Sequence, residues 1–269
     1  MKKVRVLGLM VFLGMFSACT VKKISPATTS SSTFIPDAKL WASLFHQRAA
    51  EYRALCFQAY NIARLRVDQT SLTQHQKPLA IITDIDETVL DNSPNTVSQG
   101  LKGKDWEPAS WYAWTAKGVA DTLPGSASFF KYAASKGITV FYITNREENE
   151  REGTLKNLQK FNFPNADAAH LFLKQNTSGK EARRQQVMKD YEVVLLLGDN
   201  LSDFSNLFDK QPEDQRMSAT NQQQSNFGKN FIVLPNVSYG DWESSLYKFN
   251  NNLSPAEKER IIKASLKGE

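Results

Sequence analysis

The run Leu79-Ala80-Ile81-Ile82-Thr83-Asp84-Ile85-Asp86-Glu87-Thr88 decides the fold. Its first five residues are continuously apolar or β-branched and of strand length, the pattern of a parallel strand buried on both faces. It then ends abruptly in two aspartates. A carboxylate at the mouth of a buried strand is costly unless something pairs with it. Two of them, two residues apart, repel unless a cation or a shared proton intervenes.

Further apolar runs follow, separated by helical patterns. Ile138 to Ile143, Ala169 to Leu173, Val193 to Leu197 and Phe231 to Leu234 read as strands. Pro124 and Gly125 open a helix through Lys136, and Glu147 to Lys160 and Gly179 to Lys189 read as helices. Strand alternating with helix predicts an open α/β, Rossmann-type parallel sheet with right-handed crossovers. Upstream, Leu40 to Val67 reads as one long helix, with Leu40, Leu44, Leu55, Ala59, Ile62 and Leu65 at three- and four-residue steps. Residues 92–123, with Trp106, Trp111, Tyr112 and Trp114, break the alternation and read as a cap insertion. The expected domain is 37–269, its mostly helical cap built from about 37–75, 92–123 and the C-terminal helices Asp241 to Tyr247 and Pro255 to Leu266. The Gln- and Asn-rich stretch 211–226 reads as an exposed excursion.

The N-terminus has the layout of an export signal. Lys2, Lys3 and Arg5 precede an apolar stretch from Val6 to Phe16, too short for a membrane span, and Phe16-Ser17-Ala18-Cys19 ends it. Small residues before a cysteine resemble a bacterial lipobox. In that reading 1–18 is a lipoprotein signal peptide, Cys19 is lipidated, and 19–36, rich in Ser and Thr, is a flexible tether. An ordinary signal peptide is the alternative. With Cys19 so used, Cys56 has no partner, so a disulfide scaffold is excluded. The net charge of +5 is mild and carries no arginine stripe, which argues against nucleic acid as a partner.

The remaining chemistry sits at other strand ends. Gly198-Asp199-Asn200-Leu201-Ser202-Asp203 supplies a second acidic pair, and both pairs together suit Mg²⁺, a hard cation that prefers oxygen ligands. Thr144, Asn145 and Arg146 offer a hydroxyl, an amide and a guanidinium to phosphate oxygens, with structural pairing of Arg146 an equal alternative. A lysine is expected to neutralise developing charge; Lys180 is preferred over Lys174. None of the three histidines, His46, His75 and His170, follows an arginine, and neither cysteine heads an arginine-closed phosphate loop. Phosphohistidine and phosphocysteine mechanisms are therefore disfavoured.

These pieces, in this order, resemble the haloacid dehalogenase-like (HAD-like) superfamily. The strings Asp84-Ile85-Asp86-Glu87-Thr88-Val89-Leu90-Asp91-Asn92, Ile143-Thr144-Asn145-Arg146 and Gly198-Asp199-Asn200-Leu201-Ser202-Asp203-Phe204, with Leu234-Pro235-Asn236 and Tyr239-Gly240 downstream, resemble the class C bacterial acid phosphatases, the exported lipoprotein e type with 5′-nucleotidase activity. The resemblance spans roughly 37–250. It implies Asp84 as nucleophile and Asp86 as acid/base, with best activity at acidic pH. It implies Asp84, Asp199, Asp203 and the Asp86 main-chain carbonyl around Mg²⁺, and Thr144 and Lys180 on the phosphoryl oxygens. Trp111 and Tyr239 become a clamp on a substrate base, sequence-tolerant because every base has a π-face. The substrate class implied is a small phosphate monoester such as a nucleoside monophosphate, nicotinamide mononucleotide included. The protein would be lipid-anchored to a bacterial membrane, the outer one preferred, and a homodimer is compatible with the resemblance. The contrasting expectation is a surface lipoprotein for haem binding or adhesion that retains a phosphatase fold.

Overall fold

A computed structural model describes residues 33–70, 72 and 74–269. The signal peptide at 1–18, the lipidation site Cys19 and most of the tether lie outside the described residues. The first helix, α1 (Phe34–Arg48), begins inside the segment read as tether. Pro36 sits in its first turn, where a missing N–H loses no helical bond.

The expected long helix is two. Ala49 takes an extended conformation (φ −78°, ψ 125°) and separates α1 from α2 (Ala50–Thr70). Nothing in the residue types marks this break, yet it divides the chain's roles. α1 packs on the cap helices Ser93–Gly100 and Pro255–Ser265, whereas α2 packs on the helix Ser126–Ser135 and on the sheet strands Glu192–Gly198 and Phe231–Val233. Residues 50–70 therefore belong to the core, not to the cap as expected. Cys56, Ala63 and Val67 are fully buried there, facing the sheet cluster.

The remaining elements are β1 (Leu79–Thr83), β2 (Leu90–Asp91), α3 (Ser93–Gly100), α4 (Pro108–Thr115), β3 (Asp121–Thr122), α5 (Ser126–Ser135), β4 (Thr139–Ile143), α6 (Arg151–Lys160), β5 (Leu171–Phe172), α7 (Glu181–Asp190), β6 (Glu192–Gly198), α8 (Glu213–Gln222), β7 (Phe231–Val233), α9 (Asp241–Leu246) and α10 (Pro255–Ser265). Five parallel strands form one sheet in the order β5-β4-β1-β6-β7. Alternate residues serve opposite faces, as the strand period requires. Ile81, Val140, Tyr142, Leu195 and Leu197 join one core with α2 and α5, while Ala80, Ile82, Phe141, Ile143 and Leu196 join Val187 of α7 and Phe204 on the other. Fully burying a side chain such as Ile81 contributes about 1.5–3 kcal/mol. With both faces so occupied, the α/β reading of the sequence holds.

The chain runs outward from β1 through β4 to β5, then crosses back to lay β6 on the other side of β1. The carboxyl ends of β1 and β6 thus flank the point where strand order reverses, the place where open α/β sheets keep their ligands. The crossover from β6 to β7 contains α8, so residues 211–226, largely exposed as expected, carry a helix. Their polar composition conceals a helix whose one buried side chain is Arg216, which donates to the Phe208 carbonyl at 2.7 Å. Among the described residues, no helix is long and apolar enough to cross a membrane.

Residues 92–123 leave and re-enter the core at one spot. The short antiparallel β2–β3 ladder closes the insertion, and Leu123 N–H bonds the Val89 carbonyl at 3.0 Å. Helix α4 then lies directly on Gly153 of α6. A Cβ at position 153 would stand 2.2 Å from the Thr115 carbonyl oxygen and 2.8 Å from Ala116 Cα. Both are backbone atoms, so no rotamer change relieves the overlap. Gly153→Ala is expected to destabilise by about 1–3 kcal/mol and lower Tm by roughly 3–10 °C. An unchanged thermal melt would contradict this packing.

Candidate active site

Asp84 is the first residue beyond β1, its N–H bonded to the Leu197 carbonyl of β6 at 2.9 Å. That bond fixes the backbone and leaves the carboxylate at the sheet's edge, only 7% exposed. Lys180 stands at the start of α7. Its ammonium donates to Asp84 Oδ1 and, at 2.6 Å, reaches Asp203 Oδ1. Asp203 ends the tight turn Leu201–Asp203 after β6, where its other oxygen accepts the Asn200 N–H at 3.0 Å. Gly198 makes this possible: a Cβ there would lie 2.2 Å from Asp203 Oδ2 and 2.5 Å from its Cβ. Asp199, next along, accepts from Asn236 Nδ2 at 2.7 Å.

Asp84, Asp199 and Asp203 each place a carboxylate oxygen within 4.8 Å of the others. Such crowding away from water disfavours charge. Burial, with Asp203 and Asp86 adding repulsion, pushes the Asp84 carboxyl up to about 7 despite Lys180 beside it. Burial, then Asp203 and Asp84, holds Asp199 well above the usual carboxylate range. Burial alone would lower the Lys180 ammonium, but the Asp203 and Asp84 carboxylates outweigh it and raise it. Three carboxylates against one ammonium leave two negative charges when all are ionised. A divalent cation with a taste for hard oxygen ligands fits that donor set.

Asp86 faces elsewhere. Arg146 clasps its carboxylate, Nη2 at 2.7 Å and Nε at 3.1 Å from Oδ1. Asn92 Nδ2 adds a bond at 2.9 Å, and Thr144 Oγ1 stands 3.4 Å from Oδ2. The Arg146 side chain is 1% exposed and also bonds Thr154. The Arg146 guanidinium is thus engaged by Asp86 and Thr154, which favours the structural pairing offered as the equal alternative over the substrate-binding expectation. Asn145 remains exposed, its carbonyl oxygen fixed by Arg183 Nη2 at 2.9 Å. Arg183 also donates to the Thr144 carbonyl at 2.5 Å and the Gly179 carbonyl at 3.2 Å, so it ties the end of β4 to the start of α7. The competing lysine, Lys174, is bound to Glu147 at 2.8 Å and takes no part.

The two aromatics are placed differently. Trp111 lies on the Arg146 guanidinium, 5.7 Å from ring centre to carbon. Tyr239 lines a cavity of about 290 Å³ together with Trp106, Gln99 and Lys39. No ring contact joins Trp111 to Tyr239 among the described residues. Arg183 escaped the sequence reading, and Asn92 and Asn236 entered it only within the motif strings, since partners such as Thr144, Trp114 and Asp199 lie far along the chain.

Residues 15–242 match the family described as HAD superfamily, subfamily IIIB (acid phosphatase), and the chain belongs to it. The chain is similar to the class C acid phosphatase from Bacillus anthracis, 41% identical with a TM-score of 0.85, covering 87% of this chain and 99% of that one. A second structure of that enzyme, with tungstate bound, is 40% identical with a TM-score of 0.85, covering 88% of this chain and 100% of that one. Plant relatives are more remote. The stem 31 kDa glycoprotein of Glycine max is 27% identical over 128 residues, covering 45% of this chain and 50% of that protein. Acid phosphatase 1 of Solanum lycopersicum is 28% identical over 130 residues, covering 45% and 50%. The chain thus spans about half the length of the plant relatives it matches.

The crowded carboxylates carry a sign that can be checked. Folding raises Asp84 from 3.8 to about 7, so the stability it contributes is present below about pH 4 and lost as pH rises through 7. A divalent cation takes the deprotonated carboxylates and reverses that loss. Millimolar Mg²⁺ is expected to raise Tm more at about pH 7.5 than at about pH 5. An equal rise at both, or none at either, would refute the site.

Proposed function

We propose that this protein hydrolyses phosphate monoesters, nucleoside monophosphates among them, through an aspartyl-phosphate on Asp84. The observation that carries the reading is Lys180 bridging Asp84 and Asp203 where β1 and β6 end, with Asp199 beside them. Family membership supports it, and so does the relative that holds tungstate, a tetrahedral oxyanion like phosphate.

In this mechanism an Asp84 oxygen attacks phosphorus in line with the leaving oxygen. Lys180 offsets charge on the phosphoryl oxygens, with Asn145 the exposed donor nearby. Thr144 acts from beside Asp86 as well as on the phosphoryl group. Asp86 gives a proton to the leaving oxygen, then takes one from the water that hydrolyses the intermediate. Asp84, Asp199, the Asp86 main-chain carbonyl and Asp203, directly or by way of a water, would hold Mg²⁺. The ion would neutralise charge on the transferring group. The nucleotide preference rests on Trp111 and Tyr239 as base contacts. The Tyr239 cavity supports one half of that clamp, and the Trp111 ring, 5.7 Å from the Arg146 guanidinium carbon, is proposed as the other.

The N-terminal sequence supports export and lipid anchoring at Cys19, with the outer membrane as the preferred site. A scavenging role follows, since a nucleoside enters a cell more readily than its phosphate. The haem-binding or adhesive alternative gains nothing. His46 is buried against Tyr52, His75 pairs with Glu192 at 3.0 Å, and His170 bonds Asp167 at 2.8 Å.

Phosphate release from a panel of nucleotides and aryl phosphates tests the proposal. Activity should require Mg²⁺, stop with chelator, and fall at least about 10³-fold in Asp84→Asn. Activity that survives Asp84→Asn sinks the nucleophile. Trp111→Ala and Tyr239→Ala should each lower kcat/KM for nucleotides more than for a small aryl phosphate; equal losses sink the base clamp.

A further inference from the structure

We propose that Asn92, oriented by Trp114, is a positioning residue for Asp86: with Arg146 it fills Oδ1 and leaves Oδ2 as the atom that carries the proton. The inference rests on Asp86 being the acid/base.

The two oxygens of Asp86 are not equivalent. Oδ1 accepts Arg146 Nη2 at 2.7 Å, Arg146 Nε at 3.1 Å and Asn92 Nδ2 at 2.9 Å. Oδ2 has only long contacts, to Arg146 Nε at 3.3 Å and Thr144 Oγ1 at 3.4 Å. A carboxyl oxygen already surrounded by donors cannot also carry a hydrogen. Oδ2 is therefore the oxygen left to exchange a proton with the leaving group.

An asparagine amide can present either end, so something must choose. Trp114 does. Its indole N–H is a donor only, and it reaches Asn92 Oδ1 at 2.8 Å. The Asn92 NH₂ is thereby turned to Asp86. Asn92 is 1% exposed, and its own N–H bonds Glu87 Oε1 at 2.9 Å, which fixes the backbone from which the amide reaches. Trp114 is fixed in turn, because α4 rests on Gly153 and Tyr112 donates to Glu147 at 2.8 Å. The cap helix thus holds one end of a two-bond line that ends on the acid.

The step balances. A bond forms from Asp84 to phosphorus, and the bond from phosphorus to the leaving oxygen breaks, that oxygen keeping the electron pair. The Oδ2 proton of Asp86 goes to it. In the second half a water gives a proton back to Oδ2, its oxygen bonds phosphorus, and the bond to Asp84 breaks. Poor leaving groups need that first proton and good ones hardly do.

The test is therefore leaving-group dependence. With the full chain and Mg²⁺, kcat/KM is measured for a simple alkyl phosphate and for 4-nitrophenyl phosphate in wild type, Trp114→Phe, Asn92→Ala and Asp86→Asn. The alkyl-to-aryl ratio is expected to fall about tenfold in Trp114→Phe, further in Asn92→Ala, and most in Asp86→Asn. If Asp86→Asn lowers the ratio while Trp114→Phe and Asn92→Ala slow both substrates equally, these two residues only pack, and the inference is overturned. If Asp86→Asn itself leaves the ratio unchanged, the acid/base assignment fails and takes the inference with it. Trp114→Phe replaces the indole with a smaller ring that has no N–H donor, and as a milder change it remains informative if Asn92→Ala does not fold.

Discussion

Three carboxylates gathered beside one ammonium at the end of a buried sheet form the constraint around which this molecule is arranged. Asp84, Asp199 and Asp203 would repel one another if left alone. Lys180 answers part of that charge, and the remainder invites a divalent cation. Everything close by serves the crowding. Gly198 lacks the Cβ that would push Asp203 away, Asn236 holds Asp199, and Arg183 fastens the loop that delivers Lys180 to the loop that carries Thr144. A cluster that is strained by itself and relieved by a ligand is a reasonable way to build a site for phosphoryl transfer, where catalysis is largely positioning and charge stabilisation.

The second device is a division of labour between two neighbouring aspartates. Asp84 faces the ammonium and the other acids; Asp86 faces a buried arginine and an asparagine. The two carboxylates thus sit in different surroundings, and the proposed mechanism gives them different tasks, nucleophile and proton carrier. The cap participates in this division. It is closed at its base by the β2–β3 ladder and set down on Gly153, so it bears on the acid from a fixed place.

Much of this was legible in the sequence because apolar runs are local signals. The strands ending at Asp84, Thr144 and Asp199 announced themselves, and a polar residue just past a buried run is conspicuous. Lys180 could be preferred over Lys174 from the helix it begins; in the structure Lys180 meets Asp84 and Lys174 meets Glu147. What stayed hidden is what depends on distant partners. Arg146 sits 60 residues from Asp86, and nothing in Asn145-Arg146-Glu147 shows that the guanidinium is interior. Asn92 stands in the first motif string without a role of its own until Trp114 is seen bonded to it. The break at Ala49 and the helix within the polar stretch 211–226 likewise lack an apolar pattern to betray them.

The central claim is the covalent role of Asp84, and chemical trapping addresses it most directly. The protein would be mixed with substrate and Mg²⁺, quenched in acid within a turnover, and reduced with borohydride, which converts an aspartyl-phosphate to homoserine. The account predicts homoserine at position 84 in the wild type and none in Asp84→Asn. Homoserine at another aspartate, or full turnover with no trapped intermediate at position 84, would contradict it.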